Sequence, residues 1–239
     1  MEKIINHQNL RFFAYVNDHI CQRPIRGVVV YFQGLNWNQM YHDDLPEAIR
    51  YGEEGILYVV PYNRPWAWLN SQAVDYTDEI LDVLFKVHRL ADGTPIVAAG
   101  KSMGGLSAIL YCKLAKRTPV ACVANCPVCD LPCHYTERSD LPRTLYSAFY
   151  DESGSLEEVL SRHSPLHQIQ WLPKINYHIF HCEEDKSVNI HLHSEKFVAA
   201  MKKLGHSISY RTVPDRGHCD LPEEMHILFH ALCAQAISQ

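Results

Sequence analysis

No run of lysine or arginine builds a basic face anywhere in this chain, and 22 Lys+Arg against 27 Asp+Glu leave a net charge of −5. Nucleic acid is therefore not an expected partner, because binding phosphates takes clustered positive charge. No uninterrupted apolar stretch approaches the ~20 residues that cross a bilayer, so no membrane association is expected. The opening MEKIINHQNLRFFAYVND has neither the apolar core nor the small-residue cleavage site of an export signal. The expected location is cytoplasmic. No internal repeat and no low-complexity linker divides the 239 residues, and one α/β domain over residues 1–239 is the expectation. Without an export signal, the nine cysteines are expected to be reduced thiols acting as small buried hydrophobes.

The chain is 47% hydrophobic and 21% charged, the composition of a globular protein with a full core. Its apolar runs alternate in period. Residues 10–16, 25–32, 55–62, 96–100, 120–126, 175–182 and 207–213 read as strands. Residues 39–52, 73–90, 106–115, 189–205 and 221–237 carry helical spacing, the fourth ended by Gly205 and the last opening at Pro222. Residues 131–173 break the rhythm with polar, proline-punctuated helical pieces, read as an insertion or small helical cap over one end of the sheet. Apolar strands without a polar face, alternating with helices, imply an α/β fold with a mostly parallel central sheet covered on both faces. In such sheets ligands bind beyond the carboxyl ends of the strands.

One motif sits at such an end. In PIVAAGKSMGGLSAILY the segment Gly100-Lys101-Ser102-Met103-Gly104 matches G-x-S-x-G, with a strand before it and a helix after it. A turn this tight holds a nucleophile in a strained conformation and leaves no room for side chains at 100 and 104. It lifts the Ser102 hydroxyl clear of the sheet and aims the Met103 N–H at a developing oxyanion. The competing reading, a phosphate loop, fails because the G-x-x-x-x-G-K-[ST] spacing is missing. A serine hydroxyl needs a base, and the base needs an orienting acid. His218, in PDRGHCDL after the last strand, is the candidate base. Asp185, in HCEEDKSV after the strand ending at Cys182, is the candidate acid, with Glu183 and Glu184 as alternatives. Asp215 and Asp220 lie too near His218 in sequence to reach its far nitrogen easily, and His181 reads as a packing or hydrogen-bonding residue.

On these residues the chain resembles the α/β-hydrolase fold serine hydrolases, particularly the prolyl-oligopeptidase-like group (the peptidase S9 catalytic domain) and its small esterase relatives. HCEEDKSV resembles that group's HGxxDxxV acid loop, with Cys182 in place of glycine, and Ser164-Pro165-Leu166 resembles the Ser-Pro-Leu step that precedes it. The resemblance implies the α/β-hydrolase fold and the chain order Ser102, Asp185, His218. It also implies a second oxyanion donor in the turn Gln33-Gly34-Leu35-Asn36, at the Leu35 N–H, although Gln33 stands where the group has histidine.

Tyr62-Asn63-Arg64-Pro65-Trp66-Ala67-Trp68 follows a strand on the same edge. Arg64, Trp66 and Trp68 are candidate substrate-binding residues, since rings supply flat apolar area and arginine an anchor for a carboxylate or carbonyl. The alternative is that the tryptophans pack the cap against the sheet. Cys126-Pro-Val-Cys129, with Cys133-His134, invites a zinc or redox reading, but no second paired motif completes it. The expectation is no metal, no cofactor and ordinary thiols near the pocket, two of which, Cys126 and Cys219, lie close enough to the edge for a bulky thiol reagent to slow turnover. Taken together, the sequence predicts a serine hydrolase acting by acyl transfer on a small-molecule ester or peptide. Short acyl or aryl esters are preferred because no propeller pattern is present to sieve peptides. A serine peptidase is the runner-up, and a non-catalytic binding protein on the same fold is the alternative of another class. The oligomeric state is not legible.

Overall fold

The computed structural model describes residues 4–239. Seven strands make one sheet: β1 (Ala14–Val16), β2 (Gly27–Phe32), β3 (Ile56–Pro61), β4 (Ile96–Lys101), β5 (Ala121–Asn125), β6 (Asn176–Cys182) and β7 (Ser207–Val213). Their order across the sheet is β1-β3-β2-β4-β5-β6-β7. β1 runs antiparallel to β3, and every other neighbouring pair is parallel. Among the described residues nine α-helices accompany them: α1 (Pro46–Glu53), α2 (Ser71–His88), α3 (Met103–Leu114), α4 (Leu131–Glu137), α5 (Leu141–Phe149), α6 (Leu156–Arg162), α7 (Pro165–Gln168), α8 (Ser194–Lys203) and α9 (Glu223–Ile237).

The central strands are apolar on both faces because both faces are covered. Along β2, Val28 and Val30 enter a core with Leu81, Leu106 and Phe197 from α2, α3 and α8. Val29 points the other way, into a core with Tyr51 of α1 and Cys233 and Ile237 of α9. This is the two-residue alternation of a strand. α3 is buried without interruption from Met103 to Cys112, since it lies between the sheet and the segment 131–172. Leu131, Leu145, Leu160 and Leu172 of that segment share the α3 core. α6 within it begins with a capping box between Ser155 and Glu158.

Two sequence expectations are corrected. Residues 10–12 form a 3-10 turn, and only Ala14–Val16 pair as a strand. The helix expected from 39 begins at Pro46, because Leu45 before it is held extended (φ −74°, ψ 143°), the conformation that a following proline enforces. Residues 39–45 instead run as a loop along the carboxyl edge of the sheet.

Candidate functional site

The turn from β4 into α3 carries Ser102 at φ 57°, ψ −124°, a left-handed conformation that a residue with a side chain adopts only when its surroundings impose it. They do so here. The Ser102 N–H donates to the Asn125 carbonyl at 2.9 Å, and the Ser102 carbonyl accepts from Gly105 at 2.9 Å and Val128 at 3.3 Å. A Cβ on Gly104 would lie 2.6 Å from the Gln33 carbonyl oxygen and still closer to that of Phe32. A Cβ on Gly100 would lie 2.9 Å from the Phe32 carbonyl oxygen and collide with the carbonyl of Gly104. Glycine at both positions is what lets β2, β4 and α3 meet at the serine.

His218 lies in the loop after β7 and presents Nε2 to the Ser102 Oγ at 2.9 Å. Its Nδ1 faces the Asp185 Oδ2 at 2.6 Å. The Asp185 Oδ1 accepts backbone N–H groups of Ser187 (2.8 Å) and Val188 (2.9 Å). Burial alone would push this carboxyl up, but hydrogen bonds from His181 and His218 outweigh it and hold the group well below the usual carboxylate range. For His218 the balance runs the other way. Burial pushes the imidazole down, while the hydrogen bond and charge of Asp185, with Cys126 beside it, lift it to about 9. A hydroxyl, an imidazole and an ionised carboxylate joined in this order can pass the hydroxyl's proton to the imidazole and stabilise the imidazolium that results.

Among the described residues no acceptor takes the N–H of Met103, at the first position of α3, or that of Leu35. Both amides border the serine. Met103 follows it directly, and Gly34, next to Leu35, lies where an added Cβ would be 3.6 Å from the Ser102 Cβ. The Leu35 side chain packs against the core. The turn is held by the Asn36 N–H donating to the Pro65 carbonyl at 3.0 Å and by a short hydrogen bond from the Gln33 Nε2 to the Tyr41 hydroxyl. Gln33 thus supports the turn from the position where the resemblance has histidine.

Two cavities are bordered by the neighbours of Ser102. One, of about 240 Å³, lies beyond Met103 and is lined by Gln33, Trp37, Met40, Arg64 and Ser107 among others. The second, of about 260 Å³, lies beyond Lys101 on the α9 side, with Tyr31, Trp37, Asn125, Cys219 and Phe229 in its wall. Arg64 is exposed and borders the first. Trp66 donates through Nε1 to the Asn36 Oδ1 at 2.6 Å, under the guanidinium of Arg143. Trp66 and Arg64 border a third cavity of about 380 Å³.

Trp68 corrects the sequence expectation. It is fully buried, at 0% exposure, donates to the Thr144 Oγ1 at 3.1 Å and stands edge-on to His134. Its work is to pin α4 and α5 against the sheet, and it touches no ligand space. Glu183 and Glu184 point to solvent, and Asp220 pairs with Arg216, so Asp185 alone of these carboxylates meets His218. All nine cysteines are free.

One residue with work at the site was not singled out from the sequence. Asn125, at the end of β5, binds the backbone of both Ser102 and Cys219, and its only signal was a place on the carboxyl edge. His181 is buried and sits 3.3 Å from the Asp185 Oδ2, with its Nδ1 at the Ser194 hydroxyl (2.6 Å). It is the packing and hydrogen-bonding residue that its strand-end position predicts. No helix among the described residues is long and apolar enough to cross a membrane.

Comparison with solved structures finds the same fold. A puromycin hydrolase superposes with a TM-score of 0.71 at 17% identity, over 90% of this chain and 35% of that one. The acylaminoacyl peptidase of Pyrococcus horikoshii gives 0.67 at 13% identity, over 82% and 33%. A thermophilic esterase from the Planctomycetes species Thermogutta terrifontis gives 0.66 at 18% identity, over 93% of this chain and 85% of that one. The chain spans about a third of the length of the puromycin hydrolase and of the acylaminoacyl peptidase. No curated protein sequence matches it. A family model does, over residues 67–231. That span runs from the Trp68 corner into the last helix and takes in Ser102, Asp185 and His218, and by it the chain belongs to the prolyl oligopeptidase family.

Proposed function

We propose that the protein hydrolyses carboxylic esters of small acyl or aryl groups by acyl transfer through Ser102. The observation that carries this reading is the unbroken chain from the Asp185 Oδ2 through His218 to the Ser102 Oγ, at 2.6 and 2.9 Å. Ser102 attacks the carbonyl carbon while the His218 Nε2 takes its proton. Asp185 holds the imidazole in the tautomer with Nδ1 protonated and stabilises its charged form. The free N–H groups of Met103 and Leu35 receive the oxyanion. His218 then returns the proton to the departing alkoxide. It next activates water to cleave the acyl-enzyme, and the displaced Ser102 Oγ recovers its hydrogen. No step calls for a metal or an organic cofactor.

The ester preference is supported by the space beside the serine. Cavities of about 240 and 260 Å³ fall below the ~300–1,000 Å³ of sites that engulf drug-sized ligands, and they suit short acyl and leaving groups. Family membership favours a second reading, cleavage of peptide or aryl amides. Hydrolysis of p-nitrophenyl acetate and butyrate, beside a proline-based chromogenic amide, tests both. The account expects ester turnover that Ser102→Ala lowers by about a thousandfold or more. Faster amide than ester turnover would replace the ester reading with the peptidase one. Equal negligible rates in the two proteins would support a binding protein on this fold.

A further inference from the structure

Among the described residues three groups of ligand-type side chains converge, and they differ in what holds their lone pairs. In the first, the His193 Nδ1 accepts the N–H groups of Cys129 (3.0 Å) and Asp130 (3.2 Å), so its Nε2 carries the proton, which goes to the Glu137 Oε2 at 2.9 Å. His134 bonds the same carboxylate. This cluster is saturated by its own hydrogen bonds and fixes the loop after β5 to α4 and α8. In the second, around Asp185, the His181 Nε2 is taken by the Val188 carbonyl at 3.0 Å.

The third is Cys126, Cys219 and His218, whose ligand atoms all lie within 4.8 Å of one another. Here the His218 Nε2 lone pair accepts the Ser102 hydroxyl at 2.9 Å, a hydrogen bond that an entering ion can displace. The Cys219 Sγ lies 3.6 Å from the His218 Nε2. Zinc held by a thiolate at ~2.3 Å and an imidazole nitrogen at ~2.0–2.1 Å, at the tetrahedral angle, sets a sulfur–nitrogen edge of ~3.6 Å. The Cys126 Sγ already receives the N–H groups of Cys182 and Cys219, each at 3.4 Å. Two amides aimed at one sulfur stabilise a thiolate ligand. The His218 Nδ1 is turned to a carboxylate, the outer-shell arrangement that orients a metal-binding imidazole and leaves Nε2 to coordinate. Cys126 and Cys219 are both held at positive φ, 45° and 61°, a cost that converging side chains at a site explain better than packing does.

We propose that a thiophilic divalent cation of the zinc class binds the Cys126 Sγ, the Cys219 Sγ and the His218 Nε2, and reversibly stops the hydrolase. Both thiols lose their protons to solvent as the ion binds, and water or the Ser102 oxygen completes the tetrahedron. The ion occupies the lone pair that would take the Ser102 proton, so nucleophile activation ends. Removing the ion with a chelator returns both thiol protons and frees Nε2. Hard cations such as Mg²⁺ and Ca²⁺ do not substitute, because sulfur and imidazole nitrogen suit softer ions. The effect on turnover rests on the hydrolase reading above, whereas the binding does not.

The test uses the reduced, chelator-treated protein with Co²⁺ and Zn²⁺ as probes. Cobalt should give thiolate-to-metal charge-transfer absorption that saturates at one ion per chain and is abolished by Zn²⁺. Ester hydrolysis should fall in step with zinc occupancy and recover with chelator. Cys219→Ser, and separately Cys126→Ala, should raise the half-inhibiting zinc concentration by about tenfold or more, each variant read against its own zinc-free rate. Cobalt binding in Ser102→Ala should persist, so the site is read even where no substrate turns over. The absence of thiolate–cobalt absorption in wild type would overturn the proposal, as would zinc inhibition of equal strength in wild type and both cysteine variants. Loss of Ser102-dependent hydrolysis with the cobalt spectrum intact would remove the hydrolase reading and leave the metal site standing.

Discussion

Asn125 donates through Nδ2 to the Cys219 carbonyl at 3.3 Å, while its own carbonyl accepts the Ser102 N–H at 2.9 Å. One residue at the end of β5 thus fixes the spacing between the serine turn and the histidine loop. Asn125→Ala keeps the backbone bond to Ser102 and removes the tie to Cys219. It should cost only about 1 kcal/mol of stability, yet lower kcat about tenfold to a hundredfold, since a displacement near 1 Å is enough for such a loss. Thermal unfolding and steady-state kinetics on the same sample check the contrast.

His181 fills the space behind Asp185 and is fully buried. His181→Phe keeps an aromatic ring and removes three polar contacts, to the Ser194 hydroxyl, the Val188 carbonyl and the Asp185 Oδ2. The expected cost is about 1–3 kcal/mol of stability, with kcat reduced because His218 loses a firmly held acid. Denaturant unfolding and kinetics at one pH measure both. Wild-type values in each would show that His181 is only filler.

The two tryptophans of the segment after β3 should behave oppositely. Trp68→Ala empties a sealed site and takes one of two hydrogen bonds from the Thr144 hydroxyl, which keeps its bond to the Leu141 carbonyl, for a loss of about 3–5 kcal/mol. Trp66 is half-buried beside Arg64. Trp66→Ala should leave the melting temperature within a few degrees of wild type and, on the substrate-binding reading, raise KM. Calorimetry and a KM series across acyl lengths separate the two.

The pH dependence follows from the bond between His218 and Asp185. His218 is lifted to about 9, and it acts as a base only when neutral. Hydrolysis should therefore climb through neutral pH toward about pH 9, well above the ~6.5 of a free imidazole. The sign for stability is the reverse. A raised histidine contributes stability that is fully present below about pH 6.5 and is lost as pH rises through about 9. The depressed Asp185 contributes stability that is present above about pH 3.9 and is lost as pH falls. A kcat/KM profile with its midpoint near 6.5 would contradict this account.

Gly104 has no room for a methyl group between α3 and the carbonyls at the end of β2. Gly104→Ala should force the turn open, at about 1–3 kcal/mol or more, and lower turnover at the same time. Gly93, with nothing within 4 Å of its Cβ position, is the control, and Gly93→Ala should leave both unchanged.

Much of this was legible in the sequence because it is local. The serine turn depends on glycine at two fixed positions, and the strand alternation of Val28 to Val30 follows from a sheet covered on both faces. The spans of β6 and β7, which run into the loops that carry Asp185 and His218, followed the apolar runs 175–182 and 207–213. What was not legible depends on packing at long range. Trp66 and Trp68 are two residues apart and chemically the same, yet one faces an open cavity and the other a sealed core. Only the path of α5 over Trp68, through Thr144, decides that. Residues 10–12 are as apolar as a strand, but they have no neighbour to pair with and close into a turn. The sequence set Cys126 and Cys219 at the catalytic edge, but the convergence of both sulfurs on the His218 ring depends on how two loops far apart in the chain meet.

The central claim is that Ser102 is a nucleophile activated by His218. A fluorophosphonate probe with peptide mapping tests it most directly. The account predicts a single adduct on Ser102 that is absent from Ser102→Ala and slowed by orders of magnitude in His218→Ala. Labelling elsewhere in the chain, or labelling of Ser102 at the same rate in wild type and His218→Ala, would contradict it.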